Sequence, residues 1–332
     1  MNNKLIANKD GVALLLSIWV LAMLIGVATA FSYTSRLEVQ SGYNIKMAAK
    51  ARYLAEAGIN MAILQILNKK NTVTADAATN QVESEEDWLF NGEFNELNFD
   101  DGQFIVKVVP ENSRVDLNFA DEVILDRLLD AIGVPEGADR STIVDSIMDW
   151  KDEDNLHKLN GAEEDYYMSL PTPYKPADSY FTSIEELLLV KGVTQEIFYG
   201  TGEKKGLKDL VTVYSSSFVI DFNSAPKEVL MAIPGIEEED ADKILEFRKT
   251  NEIQNVNDVQ LLIPAHFMAI RRYVGTGIKA ATVFSIESIG RVKDFKTEVG
   301  IRAAVEITNE YSFLFYKTPE VIKYNDMKEE YE

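Results

Sequence analysis

The chain has 332 residues, with 33 basic against 54 acidic side chains, a net charge of -21 and no cysteine. So acidic a surface repels nucleic acid and anionic lipid and favours cations, while the missing thiols exclude disulfides and zinc-thiolate sites. About 260 residues follow the N-terminal apolar stretch, enough for roughly two domains.

A polar leader, Met1 to Asp10, carries Lys4 and Lys9 and ends at Gly11. Val12 to Phe31 then runs without Asp, Glu, Lys, Arg, His or Pro. At about 1.5 Å per residue this run crosses a hydrocarbon core of roughly 30 Å, and the basic leader keeps Met1 cytoplasmic. No proline occurs before Pro110, and helix formers persist to about Asn68. The pattern predicts one helix over 12–68, transmembrane over 12–31, roughly 85 Å long. Its outer half is expected to bury Leu37, Ile45, Tyr53, Leu54, Ile59, Ile63 and Leu64 between charged positions.

A basic leader closed by Gly, an apolar helix and an amphipathic extension resemble the class III signal of type IV pilins and pseudopilins; a plain signal anchor is the other reading. The resemblance implies that a prepilin peptidase cuts after Gly11 and methylates the new amine of Val12. Most pilins carry Glu at the fifth mature position, thought to neutralise a neighbour's terminal amine in lipid, where a lone charge is costly. Here that position is Leu16. The member known to lack this Glu is the tip subunit of the type II secretion pseudopilus, in the general secretion pathway protein K family. Drift would produce the same change.

Residues 71–101 lose periodicity and read as a long connection pinned by Trp88. Gln103–Val109 is rich in β-branched residues and predicts a strand, turned at 110–113 into a second over 114–117. An internal repeat follows at an offset of 105. Val115-Asp-Leu-Asn-Phe-Ala120, ending at Leu125, aligns with Ile220-Asp-Phe-Asn-Ser-Ala225, ending at Leu230. Each copy reads as a short strand, an Asn capping the next helix, and a Gly-bearing turn at Gly133 or Gly235; Gly192 supplies a looser third. Such units are helix-hairpin-helix elements, which often hold DNA phosphates, and a membrane-anchored DNA receptor is one reading. Five carboxylates over 233–242, with no base, oppose it.

The densest polar stretch runs Asp149-Trp-Lys-Asp152-Glu-Asp154-Asn, then Asn160-Gly-Ala-Glu163-Glu164-Asp165. Acids on both sides of a Gly offer the hard oxygens that Ca²⁺ prefers, though Leu156 and the late glycine rule out an EF-hand; a solvated acidic loop is the alternative. The stretch resembles the Asp-Trp-x-Asp-x-Asp…Gly-Ala-Glu segment of the protein K family, whose members can bind calcium there. On that resemblance Asp152, Asp154, Glu163 and Asp165 are the expected ligands, with Asp149 and Glu164 as further candidates.

Val283–Gly290 and Phe295–Ile307 alternate with period two and predict a hairpin, with 310–316 beside it. The expected fold is α+β. A long N-terminal helix lies on a pilin-like antiparallel sheet built from 69–118 and 275–316, with a mainly helical inserted domain over 119–274 and a charged tail over 317–332. His157 and His266 are the only histidines, and no nucleophile, phosphate-loop or zinc-protease motif occurs, so no catalysis is expected. The resemblance implies a minor pseudopilin at the pseudopilus tip, anchored in the inner membrane with a periplasmic body. Other minor pseudopilins and the prepilin peptidase are its implied partners. A minor pilin of a type IV pilus remains the alternative.

Overall fold

A computed structural model describes residues 9–74, 88–202, 204–308 and 310–320. The start of the leader, part of the connection and the end of the tail lie outside the described residues. Helix α1, Lys9–Thr74, is 66 residues long, about 100 Å. It extends six residues past the expected end, since nothing in 69–74 breaks it. Its apolar first half is exposed throughout, and α1 is long and apolar enough to cross a membrane.

The second half of α1 lies on a five-stranded antiparallel sheet. Its strands are β1 (Phe94–Phe99), β2 (Gly102–Pro110), β3 (Val283–Val292), β4 (Glu298–Ile307) and β5 (Tyr311–Glu320), neighbours in that order. Strands β2 and β3 pair from Gly102 with Val292 to Pro110 with Phe284, so the helical body is inserted between two adjacent strands. The sequence pattern missed β1, which sits in the stretch read as connection. Its apolar Phe94, Leu97 and Phe99 fall among Asn and Glu without clean alternation. The last strand also runs on to Glu320, beyond the expected boundary at 316.

Helix α1 buries Ala55, Ile59, Ala62, Ile63 and Ile66 against Phe104, Val106, Ile286, Ile301 and Val305, and Ala51 against Val292 and Val299. Each isoleucine removed from water contributes about 1.5–3 kcal/mol. The buried face is therefore small residues and isoleucine, and Leu37, Ile45, Tyr53 and Leu64, expected inside, are exposed. Close approach explains the alanines. A Cβ at Gly290 of β3 would collide with the Ala51 carbonyl oxygen, so only glycine lets the helix axis come this near the strand. Trp88 does reach this core, at 7% exposure. Near the far end of α1, Lys70 Nζ donates to the carbonyls of Ala281 and Ile307, each at 2.7 Å, tying the helix to the start of β3 and the end of β4.

The helical body has its own core, from Leu117 and Leu128 through Trp150 and Tyr167 to Phe222 and Ile244. Its first residues do not return as a second strand of a hairpin with β2. Glu111–Ser113 makes one tight 3-10 turn, and Val115–Asp116 pairs in parallel with Val211–Thr212 instead. Ile220–Asp221 pairs likewise with Val274–Gly275, so the sequence repeat is a structural one. In each copy a helix follows: α2 (Glu122–Ala131) then α3 (Ala138–Lys151), and later α5 (Lys227–Ala232) then α6 (Glu238–Phe247), with α4 (Glu164–Met168) between them. Gly133, Gly192 and Gly235 all take φ near +90° (87°, 87° and 97°), which a side chain would resist.

The repeated asparagines do not cap helices. Asn118 donates from Nδ2 to the Phe181 carbonyl (3.1 Å) and accepts from its N–H (2.8 Å), stapling a segment 63 residues away. Asn223 does the same with Ile253, at 2.9 and 2.8 Å. The cap of α2 is Asp121, which accepts from Ile124 N–H. A carboxamide can satisfy one carbonyl and one amide together, so a two-way staple uses its chemistry more fully than a cap does. A base closes each copy: Lys151 Nζ donates to the carbonyls of Leu117 and Ala120 (2.9 and 2.7 Å), and Arg248 donates to those of Phe222 and Ala225 (3.3 and 2.6 Å). Burial pulls the Lys151 amine down to about 8.

Candidate cation site

The acidic loop between α3 and α4 is held by its own carboxylates. Asp145 Oδ2 accepts from the N–H and Nδ2 of Asn160, at 2.9 and 3.0 Å. Asp149, fully buried, accepts from Lys158 N–H at 3.2 Å. A Cβ on Gly161 would strike the Asp149 carboxylate, so Gly161 is required where the loop folds over that acid. Lys191 Nζ donates to the carbonyls of Asn160 and Gly161 and sits 4.9 Å from the centre of the Tyr166 ring. Beneath the loop Trp150 meets Tyr167 edge-on (5.3 Å) and stacks with Phe181 (6.4 Å).

This frame brings Asp152, Asp154 and Glu163 together, with one carboxylate oxygen of each within 4.8 Å of the others. Glu163 is 2% exposed, and both its carboxylate oxygens are buried without a hydrogen-bond partner. Burial first, then the charges of Asp149, Asp152, Asp178 and Asp154, push its carboxyl from 4.5 up to about 7. Asp152 is also raised, by burial and by Asp154, and one of its oxygens is buried and unpartnered. Desolvated acids facing one another are costly unless a cation or protons join them.

The other candidates from the sequence are engaged otherwise, although the charge of Asp149 still acts on Glu163. Asp149 spends its oxygens on loop amides, Glu164 pairs with Lys175 at 2.7 Å, and the exposed Asp165 faces His157 Nε2 at 3.4 Å. One residue was missed. Asp178 holds a buried, unpartnered oxygen, adopts φ of +47°, and adds its charge to both Glu163 and Asp152. It lies beyond three prolines from the acidic run, and a lone Asp before Ser-Tyr carries no spacing signal. The set is hard oxygen throughout, three clustered carboxylates with a fourth beside them, and with waters it fits a cation of six to eight ligands better than a thiophilic or imidazole-seeking metal.

Elsewhere the start of α6 is occupied by acids in ion pairs, Lys227 with Glu238 and Asp242, and Lys243 with Glu239. That concentration of carboxylates repels a phosphate.

Residues 103–214, from β2 through the acidic loop, match the family profile for type II secretion system (T2SS), protein K. The matched stretch contains the whole candidate cation site and the first of the two repeat copies. A curated type II secretion system protein K from Pectobacterium carotovorum subsp. carotovorum is 39% identical over 64 residues, 19% of this chain and 20% of the relative. The alignment thus spans about a fifth of that protein K. A chain in the crystal structure of the GspK–GspI–GspJ complex from the enterotoxigenic Escherichia coli type 2 secretion system is similar in fold, with TM-score 0.59 and 18% identity. The match covers 86% of this chain and 99% of that one.

Proposed function

We propose that the chain is a non-catalytic minor pseudopilin of the type II secretion system, used at the tip of the pseudopilus, where it initiates assembly and supports export across the outer membrane. The observation that carries the reading is the insertion between β2 and β3. A pilin-like helix-on-sheet unit here bears a body of some 170 residues on one side of its sheet. Stacking such bodies at close helical spacing would clash, while a single copy at the end of a filament meets no such obstacle. Leu16, in place of a carboxylate that would neutralise the amine of a subunit above or below, is in keeping with a subunit that has a neighbour on one side only. The solved relative sits in a complex with GspI and GspJ, and other minor pseudopilins are the corresponding partners here.

In this reading α1 anchors the chain in the inner membrane with its N-terminus cytoplasmic and its body in the periplasm. Prepilin peptidase removes residues up to Gly11 and Val12 becomes the methylated N-terminus. Asp152, Asp154 and Glu163, with Asp178, hold Ca²⁺, which neutralises the desolvated acids and fixes the loop. The test of position is copy number and location in sheared pseudopili. One copy per filament, at an end and together with the co-encoded minor pseudopilins, is expected. Labelling along the shaft would refute the tip role.

A further inference from the structure

Among the described residues, the outer edge of β5 has no strand beside it. Proteins guard such edges with charge, proline or brevity, and the opposite edge, β1, is six residues long and carries Asn95, Glu96 and Asn98. Over Tyr311–Tyr316 β5 has no charged residue at all, in a chain that is 26% charged. Its side chains are exposed on both faces of the sheet. Tyr311, Phe313 and Tyr316 pair with Ile307, Val305 and Ala303, so they share the α1 face, and their rings meet edge-on at 5.9 and 5.3 Å. Phe315 pairs with Ala304 on the other face, where it borders a cleft of about 630 Å³ against Tyr199, Lys208 and Glu185 of the helical body. These aromatic side chains are 39–50% exposed.

Lipid is not what covers this edge. Tyr316 feels the charges of Glu56 and Arg52 of α1, and Arg52 lies 21 residues, about 30 Å, beyond the end of the apolar run at Phe31. A docked helix would shield one face and leave the backbone edge and the other face in water. A second copy would bring another charge of -21 alongside. An added strand meets all three demands, because it pairs the backbone edge and sends alternate side chains to the α1 face and into the cleft.

We infer that β5 is a strand-addition site, at which an extended, apolar edge strand of a pilin-like partner chain extends the sheet to six strands. The source of that strand rests on the pseudopilin reading above; the geometry of the edge does not. The experiment uses the full chain in lipid nanodiscs with the minor pseudopilins encoded beside it, followed by amide hydrogen exchange. In the complex the outward amides of Tyr311–Tyr316 should exchange at least about tenfold more slowly. Leu314→Lys, at an exposed position of β5, should weaken the complex at least about tenfold while leaving the melting temperature unchanged. A complex that forms with these amides unprotected overturns the strand addition and leaves the pseudopilin reading intact. Protection that rises with the concentration of this chain alone overturns the heterologous partner, and failure of any complex to form overturns both readings.

Discussion

Replacing Glu163 with Gln isolates the electrostatic cost stored at the acidic loop. The side chain is 2% exposed and its carboxyl is raised from 4.5 to about 7, so the ionised form is disfavoured by roughly 3 kcal/mol at about 1.4 kcal/mol per unit. The folded state therefore binds this proton more tightly than the unfolded one. In metal-free protein the benefit is fully present below pH 4.5 and is lost as pH rises towards 7. At pH 8, in chelator, Glu163→Gln should raise stability by up to roughly 3 kcal/mol, some 6–12 °C for a body of this size. At pH 5 the two proteins should melt together, because Glu163 is then protonated. Calcium should reverse the order. The wild type should gain RT ln(1 + [L]/Kd), about 2.7 kcal/mol at a hundredfold excess, and the variant should gain much less. Calorimetry of the full chain in detergent at pH 5 and pH 8, with chelator and with calcium, gives the four values needed. A variant less stable than wild type at pH 8 without metal, or equally stabilised by calcium, would refute the reasoning.

Asp178→Asn should reduce the calcium increment while Asp165→Asn leaves it unchanged, as titration calorimetry would read, since only the first has a buried oxygen beside Glu163 and Asp152. Asn118→Ala and Asn223→Ala each leave one carbonyl and one amide without their partner and should each cost about 1–3 kcal/mol in denaturant melts, with nearly additive effects in the double variant. Gly290→Ala should cost about 1–3 kcal/mol or more and loosen α1 from the sheet, read as faster exchange of the Ala51–Ala55 amides. Intact mass of membrane-extracted protein should begin at methylated Val12; a retained leader in a strain with active peptidase would count against the pilin reading.

What the sequence made legible follows from which physical signals are local. A twenty-residue uncharged run, a period-two alternation and a duplicated Asp-x-Asn-x-Ala pattern each report a local requirement, and α1, the β3–β4 hairpin and the two copies stand where those signals placed them. The acidic loop was visible as a cluster of carboxylates, but its division of labour was not. Asp149 and Asp154 are five residues apart in the same run, yet one folds the loop through amide hydrogen bonds and the other joins the cluster. Only the burial imposed by Trp150, Tyr167 and Gly161 separates them. Asp178 escaped for the same reason, since its contribution depends on the path of a proline-rich return rather than on spacing.

The repeat carries the same lesson further. Asparagine two residues after a strand reads as a helix cap because capping is the common local solution, but here each asparagine faces a segment 63 or 30 residues downstream. The basic residues that complete the copies, Lys151 and Arg248, sit 97 residues apart while the asparagines sit 105 apart, so an alignment at fixed offset cannot register them. What is conserved between the two halves is therefore not spacing but a pair of carbonyls, Leu117 and Ala120 or Phe222 and Ala225, that point inward and need a donor. In the first half that donor is the last residue of α3, immediately before Asp152. The latch that closes the first repeat thus also sets where the candidate cation site begins, which ties the hairpin duplication to the acidic loop through one residue.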